Sequence, residues 1–147
     1  MHREPRRASR ALLAALALAA TLPLGACSRV LSESPSGFAP YPGETPYRSV
    51  SPDGVVYRVQ VEANAPRADL GFWSEAMRRH LEGAGYRSRR EHELRVASGE
   101  VGHALEMEAP AGDDDLAYLI GLVVADDRLV VVESAGEVHR FDARRDA

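Results

Sequence analysis

The segment His92-Glu93-Leu94-Arg95-Val96 begins like the His-Glu-x-x-His of zinc proteases, in which two imidazoles one helical turn apart hold the metal and the glutamate serves as base. Its fifth residue is Val96, and the surrounding RSRREHELRV alternates as a strand does, so the two-ligand face is missing. His92 and His103 remain as a pair that facing strands could bring to one metal; the simpler reading is two half-buried sheet histidines with local hydrogen bonds. Asp113-Asp114-Asp115 and Asp126-Asp127 are the densest acidic material, and hard cations prefer carboxylate oxygens. The glycine and closing glutamate of a calcium loop are absent, which favours solvated turn charges. Glu133 ends an apolar strand, where burial would raise a carboxylate's pKa and suit it to work as a base. No acid or nucleophile partners it in the sequence, and pairing with an arginine or capping the next helix region explains it more simply. The chain has no GxSxG, GxxxxGK, CxxC or SxxK. It offers no catalytic constellation, metal set or cofactor motif, and is expected not to be an enzyme.

All 18 basic residues are arginine, so no mechanism that needs a lysine is open to the chain. Arg78-Arg79 and the cluster Arg87, Arg89, Arg90 suit an anionic lipid or an acidic partner. Glu82, Glu91 and Glu93 lie among them, as on an ordinary mixed surface. Formal net charge is -4, and about -7 once the basic first 26 residues are set aside, which opposes a nucleic-acid footprint.

Those first residues read as a leader. MHREPRRASR carries four arginines, and ALLAALALAATLPL is an uncharged Ala/Leu run of about 14 residues, too short to span a bilayer comfortably and typical of a secretory signal. Arg6-Arg7 admits twin-arginine export, although Ser9 stands where that route wants a hydrophobic residue. The only cysteine, Cys27, comes after the run beside a Pro/Ser-rich stretch and not inside a periodic segment, which argues against a small buried hydrophobe. Leu24-Gly25-Ala26-Cys27 resembles the lipobox of bacterial lipoproteins. The resemblance implies cleavage before Cys27, acylation of its thiol and attachment to a membrane through lipid. One acyl chain anchors only marginally, whereas several on one cysteine hold firmly. Ser28 in place of aspartate favours the outer membrane, facing the periplasm. No thiol is then left for a disulfide, so the domain must fold on its core alone.

The elements that would position any site begin after a tether. Residues 27–47, rich in proline and serine, have no sustained period and are expected to be extended, reaching up to about 60 Å from the lipid. Tyr41 and Tyr47 would either dock on a partner or pack on their own domain. Residues 48–147 then make roughly 100 residues, enough for one modest core. Past Ser51-Pro52-Asp53-Gly54, Val55, Tyr57, Val59 and Val61 alternate with polar residues as a half-buried strand. Asp69 can cap a helix over about 70–83, with Leu70, Trp73, Met77 and Leu81 at helical spacing and Gly83 and Gly85 as its stop. Two hairpins come next. In the first, His92, Leu94 and Val96 share one face with Val101, His103, Leu105 and Met107, leaving one wet, charged side. In the second, LAYLIGLVVA, apolar enough to be covered on both faces, turns at Asp126-Asp127 into RLVVVES. Ser134-Ala135-Gly136-Glu137 fits a capping box opening a short terminal helix with Val138 and Phe141 inward. The sum is an α+β domain: a mainly antiparallel sheet of about five strands, one long helix and a short C-terminal helix.

That order, with Phe72-Trp73, Leu81 and Gly85-Tyr86 at the helix-to-strand passage and Val130 to Glu133 then Gly136 late in the chain, resembles the PsbP-like fold. The fold includes an extrinsic photosystem II protein and small lipoproteins of the DcrB type. The resemblance implies a non-enzymatic accessory or binding subunit at a membrane. The expectation is thus a lipid-anchored envelope protein that binds another protein or supports assembly; the alternative is a module for a small ligand or divalent cation, using the groove between the long helix and the sheet or the acidic loops.

Overall fold

A computed structural model describes residues 33–43, 47–110 and 115–145. The leader, Cys27, the first part of the tether, and Asp113 and Asp114 lie outside the described residues. In chain order the elements are β1 (Ala39–Pro40), β2 (Tyr47–Val50), β3 (Val56–Ala63), α1 (Leu70–Gly83), β4 (Arg87–Arg95), β5 (Val101–Ala109), β6 (Leu116–Ala125), β7 (Arg128–Glu137) and α2 (Val138–Ala143). The strands form one antiparallel sheet in the order β1-β2-β3-β7-β6-β5-β4. The chain crosses from β3 through α1 to the far edge, then returns as a meander that slots β7 beside β3.

The sheet has seven strands where about five were expected, and the extra two come from its N-terminal side. β1 contains Pro40 and can sit only at an edge, where a missing N–H costs no ladder bond. β2 is four residues long, too short to show a period, and the turn Ser51–Val55 folds it onto β3. The Ser51 hydroxyl accepts from the Val55 amide at 2.9 Å and fixes that turn. Part of the expected tether is therefore laid on the domain: Phe38 packs on buried Val55 and Phe141, and the ring of Tyr47 meets Tyr57 edge-on.

α1 forms as its sequence dictates. Asp69 accepts from the Phe72 amide at 2.8 Å as N-cap. At the other end Gly85 takes φ +92°, and the Tyr86 amide reaches back to the Leu81 carbonyl at 3.0 Å, which turns Tyr86 onto the core. The capping box expected over Ser134–Glu137 does not form. Those residues extend β7, with Ser134 opposite both Tyr57 and Leu119, and Glu137 makes no side-chain cap. β7 lies between two strands, so the ladder satisfies its backbone on both sides, a stronger demand than one cap. α2 starts only at Val138, with Phe141 buried.

Both faces of the sheet are covered. α1 packs through Leu81, Trp73 and Met77 on Leu105, Met107, Ile120, Leu122, Leu129 and Val131. On the other face α2 and Phe38 cover Val55, Ala117 and Leu119. β6 is buried from both sides, as its unbroken apolar run implies. The expected β4–β5 hairpin with one wet side is corrected by its register. His92 pairs with Ala104 and Glu93 with His103, so His92 and Leu94 face α2 while His103, Leu105 and Met107 face α1. Among the described residues no helix is long and apolar enough to cross a membrane.

Candidate functional site

The α2 face of the sheet carries a groove of about 440 Å³. Leu94, Leu119 and Tyr57 floor it, Pro35 and Phe38 form one wall, and Phe141, Arg144 and Arg145 form another. Arg90 and His92 of β4 close the remaining side over Glu106 of β5.

Glu106 is the centre of charge. Its side chain is 2% exposed, with Oε1 accepting from Arg90 at 2.8 Å and Oε2 from Arg145 at 3.2 Å. A carboxylate this deep is stable only when paired, and two guanidiniums from distant parts of the chain supply the pairing. The register of β4 shifts between Ser88 and Arg90, a bulge that sends two successive arginines to the same face. Arg89 binds Asp142 at 3.0 Å while Arg90 binds Glu106. The Arg89 bond, with Arg145 and Arg90 nearby, holds the Asp142 carboxyl below the usual range. Arg144 reaches Asp53 at 3.3 Å, and Arg140 donates to the Asp53 carbonyl at 2.9 Å, tying α2 to the β2–β3 turn. The Asp53 carboxyl is also held low, first by the Ser51 hydroxyl and then by Arg144. Burial pushes the Tyr57 phenol up, with Tyr47 adding to it. His92 keeps Nδ1 buried with no hydrogen-bond partner among the described residues. The groove thus joins an apolar floor to a rim of charge, and among the described residues no hydroxyl is hydrogen-bonded to its imidazole.

Of the residues singled out from the sequence, His92 and Arg90 line this groove, and the other candidates lie elsewhere. His92 and His103 sit on opposite faces of the sheet, so they cannot share a metal. His103 approaches Glu91 at 3.4 Å instead. Asp115 and the Asp126-Asp127 turn stand at opposite ends of β6, about 33 Å apart for ten residues, so among the described residues these acids make no common cation site. Glu133 accepts from Tyr118 at 2.6 Å and from Arg58 at 2.6 Å, the arginine pairing the sequence suggested. Burial, along with that bond to Glu133, raises the Tyr118 phenol. Arg78 pairs with Glu75 and Glu91, Arg79 with Glu75, and Arg87 with Glu108: a mixed surface.

Contacts of the apolar core fill the middle of the α1–sheet interface, where a ligand groove was expected. What remains is a cleft of about 480 Å³ beside the first half of α1, open to solvent, with its Glu75 and Glu91 both taken by Arg78. Sequence reasoning missed the Arg90, Glu106, Arg145 cluster. Its signals were Arg90, noted only as one of a surface cluster, and Glu106, a charge at the same parity as Gly102 and Ala104 in a stretch, 101–107, where the other residues but His103 are apolar.

No family model matches the chain, and no curated protein does. Among solved structures, the cyanobacterial PsbP protein CyanoP from Synechocystis sp. PCC 6803 is similar at TM-score 0.50 and 13% identity, with 76% of each chain covered. A protein of unknown function from Pseudomonas aeruginosa, PA94, is similar at TM-score 0.50 and 12% identity, with 78% of this chain and 77% of that one covered. Identity this low speaks to architecture alone: the chain has a PsbP-like α+β fold.

Proposed function

We propose that this chain is a lipid-anchored protein of the bacterial cell envelope, held by acylated Cys27 at the outer membrane and facing the periplasm, and that its domain is a non-catalytic binding or assembly module. The α2-face groove is the observation that carries the binding reading. Its apolar floor gives up water on contact, and its paired rim gives direction, the two ingredients of a recognition site. Leu24-Gly25-Ala26-Cys27 supports the anchor. Between the two forms of the reading, protein partner or small ligand, the concave groove favours the small ligand, and the separation of Asp115 from the Asp126-Asp127 turn argues against a cation shared by them.

Fractionation of cells expressing the full chain tests the anchor. Wild type is expected in the membrane fraction, and Cys27→Ser in the soluble fraction or the medium. Retention of Cys27→Ser in washed membranes would contradict acylation.

A further inference from the structure

We propose that the α2-face groove holds one single-chain anionic amphiphile, a fatty-acid carboxylate, with the alkyl chain on Leu94, Leu119 and Phe141 and the carboxylate at Arg90. The inference rests on the proposed binding role and names the ligand of that same groove. At about 440 Å³ the groove lies toward the small end of the roughly 300–1,000 Å³ of ligand pockets, room for one chain and not for a diacyl lipid. The floor is hydrocarbon and aromatic, which a wholly polar ligand could not dehydrate to advantage.

Charge sets the head group. Among the described residues, Arg89, Arg90, Arg144 and Arg145 face Asp53, Glu106 and Asp142, four guanidiniums against three carboxylates, so these paired groups carry one positive charge in excess. Glu106 does not repel the head group, because each of its oxygens already faces a guanidinium. Arg90 spends one N–H on Glu106 and is half exposed at the mouth, leaving donors of its fork for an incoming carboxylate. His92 Nδ1, buried and without a hydrogen-bond partner among the described residues, is a second donor in the Nδ1–H tautomer. Pro35 lines the groove eight residues after Cys27, so an anchored chain keeps this mouth within about 28 Å of the lipid surface, where such amphiphiles reside.

Photolabelling of the full chain in native envelopes tests this, using dodecanoate with a diazirine at the chain end and then peptide mapping. The label is expected on the peptides containing Leu94, Leu119 or Phe141. Excess dodecanoate should remove it, while dodecyltrimethylammonium, the same chain with a cationic head, should not. Arg90→Gln should need about tenfold more probe for equal labelling, the loss of one charge-assisted bond. Trp73, on the other face of the sheet, reports by its fluorescence that this variant is folded. Leu119→Trp fills the floor and should abolish labelling. Absent label, label confined to the tether or α1, equal competition by the cationic chain, or full competition by inorganic phosphate would each overturn the proposal. So would labelling by a photoreactive phosphatidylglycerol in place of dodecanoate, which would assign the groove to a membrane lipid. The wild-type arms do not depend on any variant folding. They read the groove whether or not Cys27→Ser leaves the membrane, so failure of the ligand and failure of the anchor are distinguishable.

Discussion

Glu106 and Arg145 are 39 residues apart in the chain and 3.2 Å apart across the groove, joining the buried strand β5 to the residues just past α2. With Arg90 on its other oxygen, this carboxylate makes the short C-terminal helix part of the sheet's electrostatics as well as its packing.

Removing both guanidiniums strands the charge. Arg90→Gln/Arg145→Gln is expected to cost about 3–5 kcal/mol, the range for a buried ion left without partners. Glu106→Leu should cost less, since Arg90 and Arg145 are 50% and 33% exposed and can turn to water. Urea denaturation of the three proteins checks the ranking; equal losses would contradict it.

Asn64 holds the start of α1. Its Oδ1 accepts from Trp73 Nε1 at 2.8 Å and from the Ala68 amide at 3.1 Å, and its Nδ2 donates to the Ala68 carbonyl at 3.0 Å. Asn64→Ala is expected to destabilise by about 1–3 kcal/mol, because two half-buried donors lose their acceptor. The Trp73 emission should shift as the indole N–H seeks water. Thermal unfolding monitored by fluorescence measures both.

Acid should loosen α2 first. Asp53 and Asp142 have folded pKa values depressed below that of an unfolded aspartate. Their contribution is complete above about pH 3.9 and is lost as pH falls through the depressed values. Hydrogen exchange should show the α2 amides opening in this window before those of β6. Asp142→Asn should open α2 at neutral pH and flatten that dependence.

Two glycines of the sheet should respond differently to alanine. A Cβ on Gly102 would stand 2.6 Å from the Leu122 carbonyl oxygen, which cannot move without the strand, so Gly102→Ala should cost about 1–3 kcal/mol. A Cβ on Gly121 would meet Leu94 Cδ1 at 2.6 Å, the free end of a flexible side chain. Gly121→Ala should therefore cost less in a denaturant titration, while displacing Leu94 and changing the floor of the groove.

Local signals carried most of the architecture. Asp69, Gly83 and Gly85 bound α1 where they were expected, and the four strands of the two hairpins fell on their alternating or apolar runs. Cross-strand information was not legible. Which way His92 points depends on its register with Ala104, and a one-residue difference exchanges the faces. The same blindness hid the site. Arg89 and Arg90 read as surface charge until the bulge brings both to α2, and Glu106 and Arg145 share no motif. Glu133 was read more nearly, because an acid ending a buried strand implies a partner; only the chain's return identifies it as Arg58.

The groove is walled by the two ends of the described chain, Phe38 on one side and Phe141 with Arg145 on the other, over a floor from the middle of the sheet. β1, which carries the Phe38 side, is held by two residue pairs, whereas β3 is held to β7 by eight. A pull along the chain from the N-terminal side therefore peels β1 and opens the groove wall before it loads the core. Phe38 is in this sense a mechanical lever on the cleft: tension on the chain that enters β1 and occupancy of the groove act on the same few residues.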